Sequence, residues 1–181
     1  EHDGSWNLTW RTDGSVCKTI KSREMWDKVA YAAWACADPG VQFDGVINEW
    51  HTCPQSDKIN GSNPCSEYMF IDNTACNLAS LNLAKFFDTQ TNSFEVDNFK
   101  HAVRIWTTVL ETSVLMAQFP SKEIAQGSYD FRTLGLGYAN IGSVFMTAGI
   151  PYESEEAYGF AGSVTALITA ESYKTSAEIA K

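Results

Sequence analysis

Between positions 97 and 119 the chain carries Phe99, Ala102, Val103, Ile105, Trp106, Val109, Leu110, Val114, Leu115 and Ala117 at helical spacing, with Asp97 as N-cap and Pro120 ending the run. These residues cover more than half of a helix circumference, so the pattern predicts a long helix buried on most of its sides. A chain holding such a helix must pack other elements around it. Short apolar runs provide them: residues 68–71 read as a buried strand, and 75–83 as a strand or a helix start. A last helix is predicted over 153–181, with Ser154 as N-cap and Glu155 and Glu156 in its first turn. Its Ala161, Gly162, Ala166 and Ala170 predict close helix approach. Upstream, Trp6, Leu8 and Trp10 alternate with Asn7 and Thr9, residues 12–15 make a turn, and 16–20 form a second short strand. A helix follows, capped by Ser22 and running to Ala37, with Cys36 as a small buried residue on it. Strands alternating with long helices predict the α/β class.

The most chemically loaded stretch is Asn63-Pro64-Cys65-Ser66-Glu67, with a second cysteine in Thr74-Ala75-Cys76-Asn77-Leu78. Pro64 disfavours the helical region for Asn63, which predicts an extended segment. In an extended chain alternate residues face one side, so Asn63, Cys65 and Glu67 are expected to share one space, about 6.6 Å apart in succession. A carboxylate can take a proton from a hydroxyl, and an amide can hold one as donor and acceptor. A cysteine can attack as thiolate, bind metal, or lose a hydrogen atom. No cation or histidine lies in the stretch, and a carboxylate two residues away opposes thiolate formation. A neutral thiol that gives up a hydrogen atom is the favoured reading.

Other features narrow the field. A net charge of −9 disfavours a nucleic-acid partner. No apolar run approaches a membrane span and no signal peptide opens the chain, so no membrane partner is expected. Cysteines at 17, 36, 53, 65 and 76 form no disulfide framework, which fits a reducing cytoplasm. His51 and Cys53 lack companions at metal-ligand spacing, so His51 is read as structural or pocket-lining and no metal site is assigned. His101 is expected to be a surface or partly buried residue of its helix. Gly135, Gly137 and Gly142 miss the dinucleotide-binding spacing, and close backbone packing is expected there. A start at Glu1 and an end inside a helical pattern predict an internal piece of a longer protein.

Asn63-Pro64-Cys65-Ser66-Glu67, followed by Ala75-Cys76-Asn77-Leu78-Ala79-Ser80-Leu81-Asn82-Leu83, resembles the finger loop and following strand of ribonucleotide reductases. The Pro after Asn63 and the segment Thr133-Leu134-Gly135-Leu136-Gly137-Tyr138-Ala139-Asn140-Ile141-Gly142 resemble the adenosylcobalamin-dependent class. Ala37-Asp38-Pro39-Gly40 and Ile47-Asn48-Glu49-Trp50-His51 extend the likeness along nearly the whole chain. The resemblance implies that residues 1–181 are part of a ten-stranded α/β barrel, with a finger loop at about 60–70 through its centre. It implies Cys65 as the thiyl-radical cysteine, Glu67 as general base, and Asn63 as the group orienting substrate hydroxyls. Pro64 and Ser66 would complete the substrate-binding loop, and Cys76 would be one of two reducing cysteines. Its partner would lie upstream of this chain, with Cys53 as the rival inside it. The implied substrate is a ribonucleoside diphosphate, the cofactor adenosylcobalamin, the reductant a thioredoxin-like dithiol protein, and the full-length protein a homodimer. The competing readings are a glycyl-radical barrel enzyme and a zinc-stapled binding module built from His51, Cys53, Cys65 and Cys76.

Overall fold

A computed structural model describes residues 3–181, which divide into two compact units, one ending at Thr52 and the other spanning Cys53–Lys181. In the first unit β1 (Ser5–Thr9) pairs antiparallel with β2 (Val16–Lys21), as the alternation of Trp6, Leu8 and Trp10 predicted. Gly14 adopts φ +74° in the connecting turn, and Asp13 accepts hydrogen bonds there from the Ser15 amide and hydroxyl. Helix α1 (Ser22–Cys36) follows, with Lys21 rather than Ser22 as its N-cap and no side-chain cap. None of its residues is buried, so the expected burial of Cys36 is wrong: the helix presents no closed face, and the exposed Cys36 thiol points at the Ala32 carbonyl 3.2 Å away. Helix α2 (Asp44–Glu49) completes this unit in a stretch with no helical pattern of its own.

The second unit holds a short hairpin of β3 (Gly61–Ser62) and β4 (Met69–Phe70), then β5 (Cys76–Asn82). A turn of 3₁₀ helix at Leu83–Lys85 leads to a second hairpin, β6 (Phe87–Asp88) and β7 (Ser93–Phe94). Three elements follow: α3 (Val96–Met116), α4 (Lys122–Phe131) and β8 (Thr133–Ala139). The chain closes with α5 (Ile141–Ala148) and α6 (Glu155–Ile179). Strands β5 and β8 pair in parallel, from Cys76 opposite Thr133 to Asn82 opposite Ala139. Parallel neighbours need a long crossover, and α3 and α4 lie within it. This strand–helix–strand arrangement bears out the α/β class. Among the described residues every sheet is two-stranded, so no barrel closes within this chain.

Helix α3 packs against β5, β8, α4 and α6. It buries Phe99, Val103, Thr107, Leu110 and Val114, which recur every three or four residues along one stripe. The expectation of burial on most sides fails here: Ile105, Trp106, Val109 and Leu115 are exposed on the remaining circumference. Leu81, Leu83, Phe99, Val103, Val144, Val164 and Ile168 form the core. Phe94 sits at its aromatic edge, 5.3 Å from Phe99 and 5.4 Å from Phe160 between ring centroids. Burying each large side chain contributes about 1.5–3 kcal/mol. The N-cap of α6 is Ser154 as predicted, its Oγ accepting from the Ala157 amide, but Gly162 faces open space rather than a neighbouring helix. Asp97 lies in the first turn of α3, whose N-cap is Glu95. His101 is exposed, as expected.

Helix α4 passes close to the backbone of a neighbouring loop at Gly127. A Cβ on Gly127 would stand 2.1 Å from the Asn73 carbonyl oxygen, a distance no side chain tolerates. Only glycine lets α4 press against the loop that leads into Cys76.

Candidate active site

Residues 61–70 form a hairpin, not an extended rod. Its two-residue strands pair Gly61 with Phe70 and Ser62 with Met69. Asn63 and Tyr68 close the loop between them: the Asn63 amide donates to the Tyr68 carbonyl (3.3 Å), and the Tyr68 amide donates to Asn63 Oδ1 (3.0 Å). Within that clasp the Ser66 amide donates to the Asn63 carbonyl at 3.1 Å, which makes residues 63–66 a β-turn with Pro64 and Cys65 at its centre. Ser66 then takes φ +62° to bring the chain back. The extended reading therefore fails at Pro64. Proline restricts the residue before it, but its own fixed φ also suits the second position of a turn, and here the turn wins.

The turn sorts the side chains differently from a strand. Asn63, Pro64, Glu67, Tyr68 and Cys76 are among the residues lining a cavity of about 670 Å³, which falls in the range of small-ligand pockets. Cys65 lies at the exposed tip of the turn and is not one of the lining residues. Asn63 Oδ1 accepts from the Tyr68 amide, which engages one of its two lone pairs and leaves the side-chain NH2 as a donor. A backbone N–H can only pair with the side-chain oxygen, which fixes the amide's orientation.

Cys76 opens β5 on the wall of the same cavity, half-buried, opposite Thr133 of β8. Burial raises its thiol pKa above the ordinary value, and the negative charge of Glu67 adds to the shift. The Glu67 carboxylate thus acts on the thiol of β5. A Cβ on Gly135 would come within 2.4 Å of Leu78 Cδ2 and 3.0 Å of Cys76 Sγ, so the glycine predicted to mark close packing keeps space for that sulfur. Gly137 and Gly142 show no such contact. Because the shift has two sources, alkylation of Cys76 by iodoacetamide should rise with pH only above the usual thiol range. Glu67→Gln should move that profile part of the way down, because burial remains. Mass-spectrometric alkylation rates across pH check this, and an unshifted profile in the parent protein would contradict it.

A family model described as the ribonucleotide reductase barrel domain matches residues 6–181. The chain belongs to the ribonucleotide reductase barrel-domain family. This reductase barrel domain is 59% identical over 180 residues to a vitamin B12-dependent ribonucleotide reductase of Agrobacterium fabrum, covering 99% of this chain and 14% of that protein. It is 49% identical over 183 residues to a protein of the same name from Streptomyces avermitilis, covering 99% of this chain and 19% of that protein. A vitamin B12-dependent ribonucleoside-diphosphate reductase of Thermoplasma acidophilum is 31% identical over 166 residues, covering 92% of this chain and 22% of that protein. The chain therefore spans 14% to 22% of the length of these curated relatives.

In this reductase barrel domain the structure gathers Asn63, Pro64, Glu67 and Cys76 around one cavity, with Cys65 on the turn above them. Sequence reasoning overlooked Tyr68 and Thr133, whose hydroxyls meet at 2.8 Å. The only local signal was that Tyr68 is a polar-tipped residue in an otherwise apolar run. Among the described residues no three His, Cys, Asp or Glu side chains gather as a metal would require. No described helix is long and apolar enough to cross a membrane.

Proposed function

We propose that this chain supplies the finger loop and adjoining strands of a ten-stranded α/β barrel in an adenosylcobalamin-dependent ribonucleoside-diphosphate reductase. The observation that carries this reading is the single cavity lined by Asn63, Glu67 and Cys76, with the Cys65 thiol on the same turn. The substrate is a ribonucleoside diphosphate, the electron donor is a thioredoxin-like dithiol protein, and the full-length protein is a cytoplasmic homodimer.

An unactivated C–OH bond does not leave by polar chemistry, but abstraction of the 3′ hydrogen atom makes the neighbouring bond labile. The S–H bond of Cys65 is close in strength to that C–H bond, so its sulfur can take the hydrogen atom and later return it. Glu67 removes the 3′-hydroxyl proton as general base. The Asn63 N–H donors hold the substrate hydroxyls in the orientation that this transfer needs, and Pro64 and Ser66 shape the turn that presents them. Cys76 and a second thiol outside this chain lose two hydrogens and form a disulfide, while the 2′-hydroxyl departs as water.

The Cys65 thiol is exposed at the tip of its turn, where a bound radical-generating cofactor could reach it. Bound adenosylcobalamin supplies a carbon radical able to draw the hydrogen atom from Cys65. The full-length protein with adenosylcobalamin and a dithiol should convert cytidine diphosphate to its 2′-deoxy form. Absence of conversion with diphosphates and triphosphates alike would overturn this function.

A further inference from the structure

We propose that Tyr68 is a positioning residue that pins the finger turn to the strand pair bearing Cys76. The inference rests on the roles given above to Cys65, Glu67 and Cys76. A hairpin with two-residue strands is not stable alone in water and needs tertiary anchorage. Tyr68 provides it from both ends of its own structure. Its backbone amide and carbonyl clasp Asn63 and close the turn. Its hydroxyl donates to Thr133 Oγ1 at 2.8 Å and lies 3.4 Å from Thr74 Oγ1.

Both hydroxyl neighbours belong to the setting of Cys76. Thr133 is the residue opposite Cys76 in the parallel pair. Thr74 sits two positions before Cys76 and is fixed by donating to the Ile71 carbonyl at 2.6 Å. The Asn63–Tyr68 clasp and the Tyr68–Thr133 hydrogen bond therefore tie the Cys65 turn to β8, at the residue whose register partner is Cys76. The Tyr68 ring stacks on Phe70 at 5.7 Å, and Phe70 meets Phe131 edge-on at 5.4 Å. Those apolar contacts keep the ring in place when the hydroxyl is removed, so Tyr68→Phe tests the hydrogen bond and not the packing. A reaction that uses one thiol of the finger and one of β5 on the same sugar needs the two held at a fixed separation.

The test uses the full-length protein with Tyr68→Phe, Thr133→Val, the double variant, and Thr133→Ser. Hydrogen exchange of segment 61–70, which contains the Ser66 and Tyr68 amides, should speed up about three- to tenfold in each of the first two. The double variant should exchange no faster than either single one, because both remove the same bond. Thr133→Ser keeps a hydroxyl and should restore the parental rate. The kcat for nucleotide reduction should fall by a similar factor in Tyr68→Phe with KM unchanged. Unchanged exchange in Tyr68→Phe, additive effects in the double variant, or faster exchange with intact kcat would each overturn the positioning role. Exchange needs no nucleotide, so a parental protein with the expected exchange pattern but no reductase activity would instead sink the assigned reaction.

Discussion

Cys65→Ser in the full-length protein should reduce nucleotide turnover by at least roughly a thousandfold, a barrier increase of about 4 kcal/mol. Serine has nearly the same size and can occupy the same turn, but its O–H bond is too strong to exchange hydrogen atoms with a sugar C–H bond. The side chain sits exposed at the tip between Pro64 and Ser66, where substitution should alter stability by no more than about 0.5 kcal/mol. Nucleotide binding should persist, because the Asn63 donors and Glu67 remain on the cavity wall. The assay is formation of deoxycytidine diphosphate, with thermal unfolding and equilibrium dialysis as the controls for fold and binding. Turnover at the parental rate would remove the radical role from Cys65. Loss of binding together with turnover would mean that the sulfur serves recognition, not chemistry.

The candidate residues could be picked out in the sequence, while the shape they take could not. Asn63, Cys65, Glu67 and Cys76 stand out because an amide, a thiol and a carboxylate flank Pro64 and a second cysteine and two matching segments follow in order. Their arrangement depends on which of two preferences of Pro64 prevails, and that competition is settled by the clasp between Asn63 and Tyr68, a contact no local rule specifies. The pairing of Cys76 with Thr133 is likewise a long-range fact, invisible to periodicity. Gly135 was readable as a point of close approach, but not that the neighbour is a sulfur. Helix α4 escaped notice because Lys122, Glu123, Gln126, Ser128 and Asp130 make it polar. Ser121, whose Oγ accepts from the Ile124 amide, was the start signal that could have revealed it. The helix over 97–119 looked buried because its apolar count is high. Burial depends on neighbours, and in this chain they cover the stripe from Phe99 to Val114.

Cys76→Ser should separate the two halves of the reaction. In the proposed mechanism hydrogen abstraction uses Cys65 and Glu67, neither of which is altered, so release of a 3′ isotope label from substrate should continue within about tenfold of the parental rate. Steady-state reduction driven by a dithiol should fall at least about a hundredfold, because serine cannot enter a disulfide and the two electrons then have no source. The half-buried position opposite Thr133 accepts the isosteric hydroxyl, so failure to fold is not the expected route to that loss. The raised pKa of Cys76 bears on how it works. Burial and the Glu67 charge both favour its protonated form, the form the proposed reducing role requires. Parental steady-state turnover in Cys76→Ser would show that the electrons enter through another thiol, and Cys76 would then be left as a wall of the cavity.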